Sequence, residues 1–282
     1  MSTLVSWLYV PGDRPERFDK AVDAGASVVI LDLEDAVDAA RKDDARTNVV
    51  NYLSEARPDG PQLHVRVNDL ATDRGRDDLR ALVGLPGLTA VRLPKVESAT
   101  DLDLLDDIFR DDPTPAYALL ESAHGIEHAA EIAHHPRVAG IALGEQDLGA
   151  ALSITSPAAF DQIRLKIVLV AAAAGLPPIP MSVYPNVKDD DGFRASCAHG
   201  RGIGMFGRSA IHPRQVPLIA DAFCPSDEEI RWATAVDDAA RAAEIDGVGA
   251  LALDDGQFVD APIITKARRI LALADHLHSA RV

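Results

Sequence analysis

Aromatic residues and cysteines are scarce in this chain of 282 residues. Phe, Trp and Tyr together make up 5% of the sequence, so a hydrophobic core has to be built from the aliphatic side chains of Val, Leu, Ile and Ala. The two cysteines, Cys197 and Cys224, form no CxxC pair, and we interpret them as small buried side chains in a reducing compartment. A disulfide scaffold is therefore excluded.

The sequence also has few basic residues and few long apolar stretches. The 28 Lys and Arg residues are outnumbered by 44 Asp and Glu residues, and the formal net charge of −16 opposes binding to nucleic acids and anionic membranes. Residues 167–183, part of the longest uncharged stretch, contain Gly175 and three prolines, which argues against a transmembrane helix. The N-terminal segment has no basic region and reaches Pro11 early, which argues against a signal peptide. These features predict a cytoplasmic protein.

Short apolar runs alternate with longer amphipathic segments along the first three quarters of the chain. They predict eight β-strands, at residues 4–10, 27–33, 62–68, 89–95, 115–121, 138–144, 179–183 and 202–208. Because these runs are nearly continuous, the strands are expected to be buried on both faces, as in a parallel sheet. Eight strand–helix units within about 210 residues predict a (β/α)8 TIM barrel for residues 1–224.

The last quarter of the chain follows a different pattern. Residues 226–245 and 262–278 predict helices, and the segment ALALDDGQFVD between them predicts a hairpin. Ser226 and Glu229 have the spacing of a capping box at the start of the first helix. Residues 225–282 are therefore predicted to form a helical and hairpin extension of the barrel that packs on a neighbouring subunit.

Polar residues interrupt the apolar strands at their C-terminal ends. They are Asp32, Glu34, Asp35, Arg66, Asn68, Lys95, Glu97, Glu121, Glu145 and Asp147. In a parallel barrel these ends converge on one rim, where barrel enzymes place their active sites. One such cluster is more often explained by helix capping, but clusters after five consecutive strands favour a functional site.

The residue types at this rim suit a hard divalent cation. Carboxylates without His or Cys ligands match the preference of Mg²⁺ for oxygen donors, and Glu121 and Asp147, which follow neighbouring strands, are the best pair of ligands. Arg66 is placed to hold a carboxylate or carbonyl oxygen of the substrate through its two-pronged donor geometry. Gly144 allows the backbone to approach a ligand closely, and we assign Glu145 beside it to substrate binding as well.

Two further motifs match ligand-binding patterns only loosely. HGIEH at residues 124–128 has the spacing found in some zinc proteases, but it contains a glycine and lacks an evident further ligand. GIGMFG at residues 202–207 satisfies the GxGxxG pattern, but it occupies a predicted strand rather than following one. Tight backbone packing explains these glycines better than a dinucleotide site.

Eight segments between residues 7 and 263 carry a family resemblance. In order, they are WLYVPGDRPERFDKA, VVILDLEDAV, HVRVN, RLPKVES, LLESAHG, ALGEQDLGA, IHPRQV and GQFVDAPI. Together they resemble the HpcH/HpaI aldolase–citrate lyase β superfamily, specifically its citrate lyase β-like proteins. The resemblance implies a Mg²⁺-dependent barrel enzyme that makes or breaks a carbon–carbon bond between an acyl thioester enolate and a 2-oxo acid. Family members act on malyl, citramalyl or citryl thioesters, some hydrolyse the thioester, and they are commonly trimers or hexamers.

The resemblance also implies roles for residues at the predicted rim. Glu121 and Asp147 match the metal ligands of the family. Arg66 matches its substrate-binding arginine. Glu34 and Asp35 match acidic residues near the metal-bound waters. These assignments agree with those made from the residues alone.

Other implied roles lie outside the rim. Asp260 matches an acid/base carboxylate that the C-terminal segment lends to the site of an adjacent subunit. Arg14, Arg17 and Lys20 lie where relatives hold the nucleotide end of coenzyme A, although a solvated helix face explains them equally well. Met181 stands where many relatives carry an aspartate.

We therefore expect a Mg²⁺-dependent lyase that cleaves a 3-hydroxy-3-carboxyacyl-CoA, such as malyl-, citramalyl- or citryl-CoA, into acetyl-CoA and a 2-oxo acid. Two alternatives stay open. One is a thioesterase that hydrolyses malyl-CoA. The other is a citrate lyase β subunit that acts on a carrier-protein thioester within a complex, which the acidic surface disfavours because acyl carrier proteins are acidic too.

Overall fold

A computed structural model of the chain describes residues 4–55, 60–246, 251–252 and 258–279. The chain divides into two compact units, one formed by residues 4–222 and the other by residues from Phe223 onward. Among the described residues, no helix is long and apolar enough to cross a lipid bilayer.

A parallel sheet of seven strands forms the centre of the first unit. The strands are β1 (Ser6–Pro11), β2 (Val28–Asp32), β3 (Gln62–Arg66), β4 (Ala90–Leu93), β5 (Ala116–Leu120), β6 (Val138–Leu143) and β7 (Arg208–Ala210). They pair in the order β6-β5-β4-β3-β2-β1-β7. Every residue of β2 and β4 is buried, which confirms strands covered on both faces as predicted for a parallel sheet.

Helices connect these strands. They are α1 (Phe18–Val22), α2 (Lys42–Leu53), α3 (Asp73–Leu82), α4 (Thr100–Phe109), α5 (Ala123–Glu127), α6 (Ala129–Ala133), α7 (Glu145–Leu152), α8 (Pro157–Ala173), α9 (Asp190–Gly202) and α10 (Gln215–Phe223). Polar caps set several of their first turns: the Ser122 hydroxyl accepts a hydrogen bond from the Gly125 N–H at the start of α5. Parallel strands need such crossover connections. Each strand of the series β1 to β6 pairs with the next one along the chain.

The first six predicted strands are confirmed, but the predicted seventh is not a regular strand. Residues 179–183 contribute a single parallel bridge, between Met181 and Arg208 of β7. Pro180 has no N–H to donate to a neighbouring strand, which limits regular pairing in this segment. The Ser182 hydroxyl donates to the Leu143 carbonyl of β6 at 2.7 Å, so the segment contacts both edge strands of the sheet.

The predicted eighth strand, residues 202–208, is also displaced. Gly202 ends α9, and β7 begins only at Arg208. Gly204 and Gly207 have φ angles of +93° and +76°, in a region that interrupts an extended strand. A Cβ atom on Gly207 would overlap the carbonyl oxygen of Val5, so close backbone packing explains this glycine-rich segment as expected.

The second unit pairs two long helices with a short hairpin. These elements are α11 (Asp227–Asp246), β8 (Leu251–Ala252), β9 (Phe258–Val259) and α12 (Ala261–Ser279). The predicted capping box is confirmed, because Ser226 and Glu229 exchange hydrogen bonds of 2.8 and 3.1 Å between side chain and backbone. The buried side chains of Ala233, Val236, Val259 and Ala267 form its core. The tip of the predicted hairpin, residues 253–257, lies outside the described residues.

Candidate active site

Four polar side chains occupy matching positions on neighbouring strands of the sheet. Asp32, Arg66, Arg92 and Tyr117 pair with one another in register across β2, β3, β4 and β5. Paired residues of parallel strands point to the same face, so all four side chains share one side of the sheet. On this side lies a cavity of about 440 Å³, whose walls include Asp32, Arg66 and Arg92.

Asp32 and Arg66 form a buried, two-pronged ion pair. Nε and Nη2 of Arg66 donate to the two carboxylate oxygens of Asp32 at 2.7 and 2.6 Å, and Asp32 is fully buried. The Asp32 carboxylate also accepts the N–H groups of Glu34 and Ala36, at 2.9 and 3.2 Å. Asp32, which we predicted only as part of the polar rim, therefore orients Arg66 and shapes the turn that follows β2.

Two further carboxylates surround Arg66. Its Nη1 atom lies 2.8 Å from Glu34 Oε2 and 3.1 Å from Asp35 Oδ2. Its guanidinium also stacks 5.0 Å from the ring centre of Tyr9. Burial lowers the pKa of Arg66, but the hydrogen bonds and charge of Asp32 outweigh burial and raise it. Arg66 is thus a permanently charged group in a fixed orientation.

Glu34 is a buried carboxylate whose negative charge is only partly balanced by neighbouring groups. Only 5% of the residue is exposed, and neither carboxylate oxygen has a hydrogen bond of good geometry within the described part of the chain. Its ionic contacts are Arg66 and, at 3.5 Å, the Nζ atom of Lys95. Burial raises the pKa of Glu34 to about 7, against the attraction of Arg66. Such a group can hold or release a proton near neutral pH.

Glu121 enters the cavity directly after β5. Its Oε2 atom accepts the N–H of Lys95 at 3.1 Å, and Lys95 adopts a φ of +53°. A Cβ atom on Gly144 would lie 2.6 Å from Glu121 Oε1 and would overlap its Cγ atom. Gly144 therefore makes room for this carboxylate, whereas we had expected it to make room for a ligand.

The carboxylates of Glu121 and Asp147 fit a magnesium ion. Burial, together with the negative charges of Glu34 and Asp147, raises the pKa of Glu121 to about 7. Asp147 is exposed in the first turn of α7 and lines the same cavity. A divalent cation would relieve this mutual repulsion, and one or two carboxylates completed by water are the usual donors for Mg²⁺. The structure brings these two predicted ligands to one cavity.

Glu145 also lines the cavity, but its charge is already neutralised. Both of its oxygens accept hydrogen bonds from Arg164, with Nε at 2.8 Å. Arg164 in turn donates to Asp161 at 2.9 Å. This pairing favours a structural role at the start of α7 over direct contact with an anionic substrate.

Glu34 does not line this cavity but a second one, together with Asp35 and Lys95. Three further predicted site residues line neither of the two cavities. Arg14 lies after β1 with its side chain half exposed and 3.8 Å from Asp13. Lys20 is exposed on α1. Asp260 belongs to the second unit, where its carboxylate accepts the Ile263 N–H at the start of α12. The roles of all three stay predictions.

Arg92 was missed by the sequence analysis. It is 1% exposed, and its Nε and Nη1 atoms have no hydrogen-bond partner within the described part of the chain. Its guanidinium lies 5.3 Å from the ring centre of Tyr117. The available signal was a basic residue within the apolar run TAVRLPK, at a position where a buried strand normally places an aliphatic side chain.

Other potential metal ligands are explained by local contacts. Among the described residues, Asp103, Asp106 and His135 are the one group of three acidic or histidine side chains whose ligand atoms lie within 4.8 Å of one another. Asp106 is exposed and paired with Arg137 at 2.6 Å, as expected of a surface ion pair. In the HGIEH segment, His128 contacts the carbonyl of His124 in the same helical turn.

Comparisons with known proteins agree with this site. A model of the HpcH/HpaI aldolase/citrate lyase family matches residues 5–213. A (3S)-malyl-CoA thioesterase of Cereibacter sphaeroides is 38% identical over 96% of this chain and 94% of the relative. A citrate lyase subunit beta of Escherichia coli is 35% identical over 96% of this chain and 93% of the relative. The crystal structure of CitE from Mycobacterium tuberculosis in complex with magnesium, acetoacetate and coenzyme A superposes with a TM-score of 0.81, at 35% identity, covering 97% of this chain and 98% of that one.

Proposed function

The chain belongs to the HpcH/HpaI aldolase/citrate lyase family, and on this basis we propose that it is a Mg²⁺-dependent carbon–carbon lyase of acyl-CoA thioesters. Its substrate is a 3-hydroxy-3-carboxyacyl-CoA such as malyl-, citramalyl- or citryl-CoA. The products are acetyl-CoA and a 2-oxo acid. The observation that carries this proposal is the convergence of Glu121, Asp147 and Arg66 on one cavity at the end of a parallel sheet.

Magnesium would be held by Glu121 and Asp147. When bound, it supplies Lewis acidity toward the oxygens of the 2-oxo acid. The related CitE structure contains magnesium together with acetoacetate and coenzyme A, which supports both the cofactor and the thioester class. Arg66 would hold the substrate carboxylate beside the cation, in the orientation that Asp32 imposes on its guanidinium.

Cleavage requires one proton to leave the substrate and another to be delivered. A base takes the proton from the 3-hydroxyl group, whose carbon becomes the 2-oxo carbon of the released acid. The bond between the α-carbon of the thioester and this carbon breaks, and its electron pair forms the thioester enolate. Protonation of the enolate carbon then gives acetyl-CoA. Glu34, with a pKa raised to about 7 by burial, is suited to proton transfer near the hydroxyl.

We assign the second proton transfer to Asp260, supplied by the C-terminal unit of an adjacent subunit.

The same proposal includes a trimer or hexamer, a complete (β/α)8 barrel in which residues 179–183 serve as the seventh strand, and a cytoplasmic location. Asp35 belongs beside the waters of the cation, and Arg14 and Lys20 contact the nucleotide end of coenzyme A. Gly144 and Glu145 contribute to substrate binding indirectly, Gly144 by making room for Glu121 and Glu145 through its ion pair with Arg164 at the cavity wall.

A thioesterase is the second candidate, favoured by the resemblance to (3S)-malyl-CoA thioesterase. It would use the same cavity to direct water at the thioester carbonyl. The similarity to citrate lyase subunit beta keeps a carrier-protein thioester as a third substrate class.

A product analysis separates these activities. The protein is incubated with Mg²⁺ and malyl-, citramalyl- or citryl-CoA, and products are identified by mass spectrometry. A lyase gives acetyl-CoA and a 2-oxo acid, whereas a thioesterase gives free coenzyme A and the intact hydroxy acid. Turnover only after transfer of the acyl group to a carrier protein would replace the lyase proposal by the third class.

Metal binding is tested by removing a proposed ligand. Glu121→Gln is expected to weaken Mg²⁺ binding at least about 100-fold, because a direct ligand loses its charge. The matched control is Asp103→Asn, which alters the acidic group on α4 and should leave the affinity unchanged. Titration calorimetry with MgCl₂ provides the measurement, and normal affinity in Glu121→Gln would reject Glu121 as a ligand.

A mixing experiment tests the role of Asp260. Asp260→Asn and Glu121→Gln are each expected to lose turnover. If the site combines Asp260 of one subunit with Glu121 of another, co-assembled mixtures of the two variants regain part of the activity, because some sites receive both intact residues. Inactive mixtures, or an active Asp260→Asn, would contradict the proposal.

A further inference from the structure

Arg92 is a buried cation for which the described part of the chain supplies no anionic partner. Its residue is 1% exposed, yet Nε and Nη1 have no hydrogen-bond acceptor among the described residues. Isolated charges are strongly disfavoured in protein interiors, and buried arginines are normally paired. An unpaired guanidinium in a cavity wall therefore indicates a binding site for an external anion that supplies the missing charge and hydrogen-bond acceptors.

Two described side chains beside Arg92, those of Tyr117 and His64, carry no negative charge that would balance its guanidinium. Tyr117 presents its ring at 5.3 Å, which is a weak cation–π contact. Burial lowers the pKa of His64 well below its usual value, and the positive charge of Arg92 lowers it further, so this ring is neutral. The Nε2 atom of His64 contacts the Gln62 side chain at 3.2 Å, which is likewise uncharged.

The strand register gives the separation between Arg92 and the proposed metal ligand Glu121 along the strand direction. Arg92 is the register partner of Arg66 on one side and of Tyr117 on the other. Tyr117 lies on β5 and Glu121 directly follows this strand four residues later, which corresponds to about 13 Å along the strand direction at 3.3 Å per residue. Arg92 and Glu121 both line the cavity of about 440 Å³, so a small molecule that fills it contacts both side chains.

We propose that Arg92 binds a second carboxylate of the 2-oxo acid, so that the preferred oxo acid of this enzyme is dicarboxylic. The inference rests on the proposed lyase function and specifies its substrate class. The first carboxylate and the ketone oxygen belong at Arg66 and the metal ligands, and the far carboxylate reaches the guanidinium of Arg92. The cavity wall also includes the apolar side chains of Leu119, Ala142 and Met181.

The chemistry favours a carboxylate over a neutral substituent. An arginine offers paired N–H donors that match the two oxygens of a carboxylate, and a charge-assisted hydrogen bond is about twice as strong as a neutral one. A methyl or hydrogen substituent, as in pyruvate or glyoxylate, would leave the buried charge of Arg92 uncompensated. Discrimination is therefore expected to act against monocarboxylic oxo acids.

The test compares two oxo acids of the same shape. Freshly dissolved oxaloacetate carries a carboxylate where 4-methyl-2-oxopentanoate carries an isopropyl group. Each is condensed with acetyl-CoA in the presence of Mg²⁺, and kcat/KM is measured from initial rates of thioester product formation. Wild-type protein is expected to favour oxaloacetate by about tenfold to a hundredfold, and Arg92→Met to lose this preference.

Two further variants separate recognition from folding. Arg208→Met removes another buried arginine of the same sheet, one whose donors are occupied by Ser182 and Ser196. It should leave the ratio of the two kcat/KM values unchanged. If Arg92→Met does not fold, Arg92→Gln, which keeps a polar side chain without charge, is measured instead and is also expected to lose the preference.

The outcomes distinguish this inference from the proposed function. Absence of carbon–carbon bond formation with every oxo acid would refute the lyase. In that case, calorimetric titration with each oxo acid in the presence of Mg²⁺ gives the ratio of the two affinities. Loss of the preference for oxaloacetate in Arg92→Met would then support the role of Arg92, and an unchanged ratio would overturn it. Turnover without preference for oxaloacetate would refute the dicarboxylate site alone. An unchanged ratio in the Arg92 variants, or an equal loss in Arg208→Met, would also overturn it.

Discussion

Arg66 and Arg92 are register partners on neighbouring strands, yet their surroundings are opposite. Asp32, Glu34 and Asp35 surround the guanidinium of Arg66. The guanidinium of Arg92 faces a tyrosine ring, and Nε and Nη1 have no hydrogen-bond partner among the described residues. The same residue type on the same face of a sheet thus gives a pre-oriented cation in one place and an uncompensated one in the other. The comparison shows that burial and register alone do not define the role of an arginine, because its partners decide whether it is available to a ligand.

The strongest test of this contrast is the same substitution at both positions. Arg66→Met leaves three carboxylates without their cation and is expected to lower the free energy of unfolding by about 3 to 5 kcal/mol. Arg92→Met removes an unpaired buried charge and is expected to raise it by about 1 kcal/mol. Urea unfolding of the metal-free proteins gives both values. Equal destabilisation by the two substitutions would mean that Arg92 has a compensating partner.

A double-mutant cycle sharpens the comparison on the side of Arg66. Asp32→Asn and Arg66→Met each break the two-pronged ion pair, so the second change costs little once the first is made. We expect the double variant to be more stable than the sum of the single effects predicts, by about 1 to 3 kcal/mol. The same urea unfolding measurements supply this coupling energy. Additive effects would indicate that Asp32 and Arg66 act independently.

The third expected effect concerns pH and Glu34. Burial raises the pKa of this carboxyl from 4.5 to about 7, so the folded protein holds a proton that the unfolded chain releases between these pH values. Stability from this proton is present below pH 4.5 and is lost as the pH rises through 7. Relative to Glu34→Gln, the metal-free wild type should lose up to roughly 3 kcal/mol of unfolding free energy between pH 4.5 and 8.

Urea unfolding at several pH values checks this prediction. A difference between wild type and Glu34→Gln that does not vary with pH would contradict it. A larger loss at low pH would show that the attraction of Arg66, rather than burial, dominates the ionisation of Glu34.

Much of the fold followed from local patterns. Continuous apolar runs identified the first six strands, because residues buried on both faces cannot alternate with polar ones. The capping box at Ser226 and Glu229 was predicted correctly because it depends on only four consecutive residues. The strands at residues 179–183 and 202–208 were predicted less well. Pro180 and the positive φ angles of Gly204 and Gly207 prevent the regular pairing that their hydrophobicity suggested.

Only part of the candidate site could be predicted from local sequence patterns. Glu121, Asp147 and Arg66 were found because polar residues at strand ends stand out from the apolar runs before them. Gly144 was selected correctly as a cavity residue but for a different reason, since the atom it makes room for belongs to Glu121. The neutralisation of Glu145 by Arg164 depends on a contact between residues 19 positions apart, which no local pattern contains.

By itself, the sequence determined the parallel arrangement of buried strands, the acidic character of the molecule and the types of residue at the strand ends, because each of these depends on composition or on spacing along the chain. Only the tertiary structure decided which charges meet. The pairing of Asp32 with Arg66, the raised pKa of Glu34 and the solitary charge of Arg92 all arise from burial and from neighbours on other strands. Electrostatic energies depend on distance in space and on exclusion of water, and neither quantity can be read from the order of residues.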